Sequence, residues 1–165
     1  MAQATFAILP VRPPEDLADT IRLFTTYANS LGVDLAYQGF AAEMAAMPGK
    51  YAPPAGELLL ARGINGEAIG CVGLRAIDPR GCCEMKRLYV TPHARGLGLG
   101  KALVDAVVAA AERIGYREIR LDTLPTMDEA IGLYAKLGFE PIAPYYVTPI
   151  EGTRFMAKQL ARAAR

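Results

Sequence analysis

Three glycines alternate with leucine directly before an apolar segment that has helical periodicity. This stretch, RGLGLGKAL, spans residues 95–103. The first amides of a helix have no partner inside the helix and carry the positive end of its dipole. Glycines there let an anion approach those amides closely, although they can also simply ease a tight strand-to-helix turn. The predicted phosphate or pyrophosphate cradle consists of Arg95, Gly96, Gly98, Gly100 and Lys101.

Two familiar phosphate-binding motifs fit this stretch less well. A P-loop requires a serine or threonine after the lysine, where this chain has Ala102. A dinucleotide fingerprint has the spacing G-x-G-x-x-G directly after a strand, whereas here the spacing is G-x-G-x-G and residues 91–95 intervene. An NAD-binding oxidoreductase, with Asp122 as its ribose-binding acid, therefore stays open only as a weaker alternative.

Length and composition predict one globular domain over residues 1–165. The chain is 52% hydrophobic, 21% charged and has a net charge of +1, which gives no reason to expect a nucleic-acid partner. Its apolar runs fall well short of the roughly 20 residues that span a bilayer, so we expect no membrane partner. Three cysteines, two of them adjacent, favour a reduced, cytoplasmic protein. With one histidine and no ligand cluster, no metal site is predicted.

Hydrophobic periodicity and turn residues predict the element order β-α-α-β-β-β-α-β-α-β-β. This order describes a mixed α/β (α+β) domain with a largely antiparallel first half. Thr126 and Glu129 are spaced as a capping box for the last helix, which should end at Gly138. The predicted strands cover residues 5–12, 57–62, 68–77, 82–90, 117–124, 139–142 and 153–160. The predicted helices cover residues 14–31, about 40–47, about 99–114 and about 127–137.

RGLGLG also matches the pattern R/Q-x-x-G-x-G/A, and here the chain resembles the GNAT family of N-acetyltransferases. MKRLYVTPHARGLGLGKALVDAVVAAAERIGY resembles the family's central strand, loop and helix, and AIGLYAKLGFEPI resembles its later helix and following strand. The resemblance implies a mixed, mostly antiparallel central sheet flanked by helices. In it, the CCEMKRLYV and REIRLDTL strands would splay apart to admit acetyl-CoA.

The resemblance also implies which residues hold acetyl-CoA. Main-chain groups of Leu88 and Val90 would pair with the pantetheine arm, and an amide there would hold the thioester carbonyl as an oxyanion donor. The loop amides would hold the pyrophosphate. The full expected set is Leu88, Tyr89, Val90, Arg95, Gly96, Leu97, Gly98, Leu99, Gly100 and Lys101.

Tyr134 matches the family tyrosine that commonly lies near the sulfur of CoA. Acetyl transfer needs a group that protonates or stabilises the leaving thiolate, and the resemblance assigns this role to Tyr134. Its spacing with Ala130, Ile131 and Leu137 is equally typical of a buried helix stripe. Both interpretations remain open at this point.

Glu84 is the candidate general base that would take the proton of the amine. By the two-residue period of a strand it should share a face with Leu88 and Val90. A structural alternative is an ion pair with Lys86 or Arg87. One of these two cations could instead bind the carboxylate of an acidic acceptor, although strand charges are more often solvated.

The acceptor itself is expected to be a primary amine of a small molecule or a peptide. Tyr37, Tyr145 and Tyr146 lie in loops that the resemblance places around the acceptor end of the cleft, so they are candidate lining residues. A non-catalytic acyl-CoA-binding module on the same fold is an alternative function. A homodimer is compatible with the resemblance.

Overall fold

The computed structural model describes residues 5–161 of the chain. This part contains seven strands and four α-helices, which follow one another in the order that the sequence predicts. The first and last four residues of the predicted domain lie outside this range. The strands are β1 (Phe6–Pro10), β2 (Glu57–Gly63), β3 (Ala68–Ile77), β4 (Cys82–Val90), β5 (Glu118–Thr123), β6 (Glu140–Pro141) and β7 (Arg154–Gln159). The helices are α1 (Pro14–Ser30), α2 (Phe40–Ala45), α3 (Leu99–Ile114) and α4 (Asp128–Lys136).

The described strands form one mixed sheet in the order β1-β2-β3-β4-β5-β7-β6. Neighbours are antiparallel except β4 and β5, which α3 connects as a crossover and which are therefore parallel. The turn GING joins β2 to β3 as the predicted hairpin. This arrangement confirms the expected mostly antiparallel sheet.

Apolar side chains cover both faces of the sheet. On one face, α3 packs Leu99, Leu103 and Val107, spaced by four residues, into the larger buried cluster. On the other face, α1 packs Leu23 and Phe24 into a second cluster. The sheet is thus the middle layer of three.

The parallel strands β4 and β5 separate after a short paired segment. Only Cys82–Glu84 pairs with Glu118–Arg120, and beyond this segment the two strands no longer pair with each other, although β4 stays paired with β3 and β5 with β7. The predicted splayed strands are therefore present. The gap between them is where the candidate site lies.

A β-bulge interrupts β4 within this gap. The register with β3 shifts between Cys71 and Gly73, so that Arg87 and Leu88 together oppose Val72. Arg87 has a φ of 60°, the left-handed region that a side chain rarely adopts. Strain of this kind clusters at functional sites, where the surrounding structure holds it in place.

The predicted capping box is wrong. Helix α4 begins at Asp128, its N-cap is Met127, and no side chain caps it. Thr126 lies one residue too early, because the Met127 amide donates to the Leu124 carbonyl at 3.1 Å and closes a turn around it. Asp128 and Glu129 in the first turn still favour this end of the helix through its dipole.

Candidate active site

The glycine-rich segment forms the start of α3 as predicted. A short 3-10 helix, Pro92–Ala94, leads into it, and Gly98 is the N-cap. Gly96 and Gly98 have φ values of 87° and 77°, so both need glycine for their backbone conformation. No side chain caps this helix end, which leaves its first amides available to a ligand.

A cleft of about 760 Å³ opens beside these amides. Its walls are the carboxyl end of β4, the glycine loop, the first turn of α3 and the first turns of α4. Nine of the ten expected cofactor residues line it, namely Leu88, Tyr89, Val90, Arg95, Gly96, Gly98, Leu99, Gly100 and Lys101. Leu97 does not line the cleft and is half exposed.

Two of these residues can serve a ligand only through their main chain. The Leu99 side chain is buried in the larger apolar cluster. The Tyr89 ring is buried in the second cluster, with its centroid 5.8 Å from that of Tyr27. Strand β4 and α3 therefore present backbone groups to the cleft, as an extended pantetheine arm and a pyrophosphate would require.

Positive charge at the mouth of the cleft comes from Arg95 and Lys101. Arg95 donates from Nε to the Val90 carbonyl at 3.4 Å, which holds its side chain beside the end of β4. Lys101 forms an exposed ion pair with Asp105 one turn later, at 2.6 Å. Arg95 is thus the better placed of the two to add charge to the helix N-terminus.

A smaller cavity of about 70 Å³ lies deeper, where β4 and β5 have separated. Four residues line both the outer cleft and the inner cavity: Tyr27, Leu88, Met127 and Ala130. The outer cleft and the inner cavity therefore adjoin, and Leu88, one of the two residues of the bulge, lies between them.

Tyr134 lies on α4 and lines the inner cavity. Its side chain is buried in the larger apolar cluster, and its ring lies 5.8 Å from that of Phe139. Burial raises the pKa of its phenol above the usual value, so the hydroxyl stays protonated at neutral pH. Core packing and a place at the cavity wall, which looked like alternatives in the sequence, are thus combined in one side chain.

Charged side chains from both splayed strands line the inner cavity. Lys86 and Arg87 come from β4, and Asp122 comes from β5, with Lys86 Nζ 3.4 Å from Asp122 Oδ1. The Lys86 and Arg87 side chains are only 5% and 3% exposed. The expectation that they are solvated strand charges is therefore wrong.

Glu84 lies outside this cavity. The bulge changes the alternation of β4, so Glu84 lies on the face of Arg75, whereas Leu88 and Val90 pack against the α3 side. The expected shared face is therefore wrong. Arg75 NH2 lies 2.8 Å from Glu84 Oε1, and Tyr145 donates to Oε2 at 2.6 Å.

The three loop tyrosines divide into two groups. Tyr37 lines the inner cavity. Tyr145 and Tyr146 do not line it, and they hold carboxylates instead: Tyr145 donates to Glu84 and Tyr146 donates to Asp122. Both rings pack on Phe155 with centroids 5.2 Å away, which fixes their positions behind the site.

Sequence reasoning missed Tyr27 and Gln38, and it gave Asp122 no role at an acetyl-transfer site. Gln38 Oε1 accepts from Arg87 at 2.8 Å and lies 3.3 Å from Lys86 Nζ. The signal for Asp122 was its place near the carboxyl end of a strand expected to splay. Gln38 and Tyr27 had no local signal, because only the tertiary fold brings them to β4.

Three further observations concern the thiols, possible metal ligands and membrane-spanning helices. The three cysteines are buried free thiols. Among residues 5–161, no group of histidine, cysteine or acidic side chains has the arrangement of a metal site. In the same range no helix is long and apolar enough to cross a membrane.

Comparison with known proteins agrees with this geometry. Residues 38–139 match the family model for the acetyltransferase (GNAT) family. The chain belongs to this family. An uncharacterized N-acetyltransferase of Schizosaccharomyces pombe is 40% identical over 162 residues, covering 98% of this chain and 99% of that protein.

Solved structures show the same fold. A GNAT-family acetyltransferase of Staphylococcus aureus has a TM-score of 0.78 at 21% identity and covers 94% of this chain and 99% of its own. The acetyltransferase yncA of Salmonella typhimurium, solved with its cofactor acetyl-CoA, has a TM-score of 0.70 at 22% identity over 98% of each chain. GNAT membership makes this chain an acyl-CoA-dependent N-acetyltransferase, and the NAD-binding alternative is set aside.

Proposed function

We propose that this acetyltransferase moves an acetyl group from acetyl-CoA directly to the primary amine of a small molecule or peptide, with both bound at once. The wall that the outer cleft shares with the inner cavity is the observation that carries this proposal. Acetyl-CoA would occupy the outer cleft and the amine the inner cavity. The two would meet at Leu88.

The cofactor would be held largely by main-chain groups. The first amides of α3, with Arg95 beside them, suit the pyrophosphate. The edge of β4 that faces β5 suits the extended pantetheine arm, because β4 and β5 no longer pair beyond Glu84. An amide at the bulge, near Leu88, would donate to the thioester oxygen as negative charge develops there.

Acetyl-CoA supplies the acetyl group as a thioester, whose carbon is attacked by the amine nitrogen while the C–S bond breaks. Tyr134 would donate its proton to the departing sulfur. Its raised pKa keeps that proton in place until the thiolate forms.

The amine must reach the thioester without its extra proton. Asp122 is the carboxylate that lines the inner cavity, so we assign it the proton-accepting role. Glu84 forms an ion pair, but with Arg75 and not with the expected Lys86 or Arg87, and it also accepts from Tyr145. Solvent would then return a proton to Tyr134 and take one from Asp122, with one proton released overall for each ammonium acetylated.

The test is a panel of primary amines assayed with acetyl-CoA, with CoA release and acetylated product both quantified by mass spectrometry. Tertiary-amine analogues, which cannot give a neutral amide, are the controls. The proposal predicts one acetylated amine per CoA and intersecting double-reciprocal plots. CoA binding without any acetylated amine would instead support the non-catalytic module, and parallel plots would exclude direct transfer.

A further inference from the structure

Two buried cations in the inner cavity share one neutral oxygen. Gln38 Oε1 lies 2.8 Å from Arg87 NH1 and 3.3 Å from Lys86 Nζ. An amide oxygen carries only a partial negative charge, whereas paired buried cations normally bind a carboxylate or a phosphate. The oxygen of Gln38 thus lies where a full anion would be bound more strongly.

Arg87 also has a donor without a partner. Its Nε lies 3.3 Å from Glu43 and its guanidinium stacks on Phe40 with 5.1 Å to the ring centroid. Its NH2 group, in contrast, is buried and makes no hydrogen bond. A buried unsatisfied donor of a charged group is costly, and an acceptor atom brought by a ligand would remove that cost.

The charges around the cavity are separated by strand. Lys86 and Arg87 lie on β4, while Asp122 lies on β5. Each cation already has one carboxylate nearby: Lys86 Nζ lies 3.4 Å from Asp122 Oδ1, and Arg87 Nε lies 3.3 Å from Glu43 Oε2. Glu43 does not line the cavity, so the cavity wall carries two cations and one carboxylate, and the Gln38 oxygen is the acceptor that both cations share.

We infer that the acceptor is a compact amine that also carries a carboxylate, as an amino acid does. Its carboxylate would replace the Gln38 oxygen between Lys86 and Arg87. Its amine would lie on the side of Asp122, which would take the proton. This inference rests on the proposed function and adds the chemical class of the acceptor.

The place of Gln38 in the chain allows a ligand carboxylate to displace its side-chain oxygen from between Lys86 and Arg87. It is the last residue of the 3-10 helix Leu35–Gln38, directly before Gly39, whose φ is 70°. Its Nε2 donates to the Tyr37 hydroxyl at 3.1 Å. A glutamate at position 38 would keep this geometry, with Tyr37 as donor, and would place the protein's own carboxylate between the two cations.

The experiment compares each acid with its own amide as acceptor. The standard L-amino acids and β-alanine are assayed beside their carboxamides, with acetyl-CoA saturating. We expect kcat/KM for the best acid to exceed that of its amide by at least about tenfold, the gain of one charge-assisted contact pair. Binding of the same acid to the CoA complex is measured by calorimetry, which does not depend on turnover.

Three variants locate the contact. Arg87→Met and Gln38→Glu should abolish the preference for the acid in both kinetics and calorimetry, whereas Gln38→Ala should keep it. Arg113→Met, on the exposed last turn of α3, is the matched control for loss of an arginine. Circular dichroism checks the fold, and Gln38→Glu keeps the test decisive if Arg87→Met does not fold.

The outcomes distinguish a failure of this inference from a failure of the proposed function. Equal turnover of acids and amides, a preference for polyamines, or a preference that survives Gln38→Glu would overturn this inference and leave the proposed function standing. Absence of turnover with every amine would overturn the proposed function, and the inference with it.

Discussion

Tyr145 donates to Glu84 across 2.6 Å and thereby occupies one of the two carboxylate oxygens, while Arg75 binds the other. The Glu84 side chain is only 2% exposed. A carboxylate that does not line the cavity is badly placed to accept the proton of a substrate bound there. It is well suited to fix β3, β4 and the loop before β7 to one another.

Replacement of this carboxylate should therefore affect stability more than catalysis. Glu84→Gln leaves Arg75 with only its longer contact to Glu43, at 3.7 Å, and we expect the free energy of unfolding to fall by about 3 kcal/mol. In the folded protein kcat should fall less than about tenfold, whereas Asp122→Asn should lower it about 100-fold, as loss of a general base does. Urea denaturation and steady-state kinetics measure the two effects.

Glu151→Gln, in an exposed loop, is the matched control for that substitution. If Glu84→Gln lowered kcat a hundredfold or more while Asp122→Asn did not, the assignment of the two carboxylates would have to be exchanged.

The glycine loop can be tested with a substitution that the backbone tolerates. Gly100 lies in the first turn of α3, and a Cβ there would meet only Leu133 Cδ2 across the cleft, at an ordinary 3.6 Å. Gly100→Ala should raise stability by up to about 1 kcal/mol, because alanine favours helix. It should weaken acetyl-CoA binding at least about tenfold by narrowing the cleft.

Gly132→Ala is the matched control, because Gly132 lies inside α4, has open space around its Cβ position and does not line the cleft. It should give the same stabilisation with no change in acetyl-CoA Kd. Equal Kd values for both variants, measured by calorimetry, would show that the cofactor does not approach Gly100.

The pH dependence of kcat should reflect the raised pKa of Tyr134. Burial raises this pKa, so the protonated form persists to higher pH than for a free phenol. We therefore expect no falling limb in kcat between about pH 7 and 9.5. A falling limb with its midpoint in that range would mean that the acid has an ordinary or lowered pKa and is another group.

The thiols should take no part in acetyl transfer. Cys71 and Cys83 are buried, and burial raises the pKa of both thiols, which suppresses the nucleophilic thiolate. We expect the native protein to react slowly with a disulfide reagent and to gain no acetyl group from acetyl-CoA alone, as measured by intact mass. Denatured protein, with all three thiols accessible, is the control. An acetylated native cysteine would contradict direct transfer.

Much of the fold could be predicted because its signals are local. Alternation, helical spacing and glycine stops are read within a few residues, and the element order they predict is the order observed. The glycine loop at residues 95–101 could be predicted for the same reason, because its motif is contained within those residues. The capping box failed because a turn ending at Met127 competes for the residues it needed.

The interior of the site was less predictable because it depends on register and tertiary contact. One bulge at Arg87 exchanges the faces of β4, so the two-residue period placed Glu84 on the wrong side. Gln38 and Asp122 meet Lys86 only after three separate segments have packed together. The spacing of these residues in the sequence gives no signal for those contacts.

The central claim is that acetyl transfer takes place where the outer cleft meets the inner cavity, with Tyr134 as proton donor. The most direct test is single-turnover kinetics of Tyr134→Phe, with the acetyl-CoA Kd measured in parallel and Tyr116→Phe, whose hydroxyl binds the distant Ala55 carbonyl, as control. Our account predicts that transfer in Tyr134→Phe slows about 100-fold while Kd stays unchanged. An unchanged transfer rate in a folded Tyr134→Phe protein would contradict it.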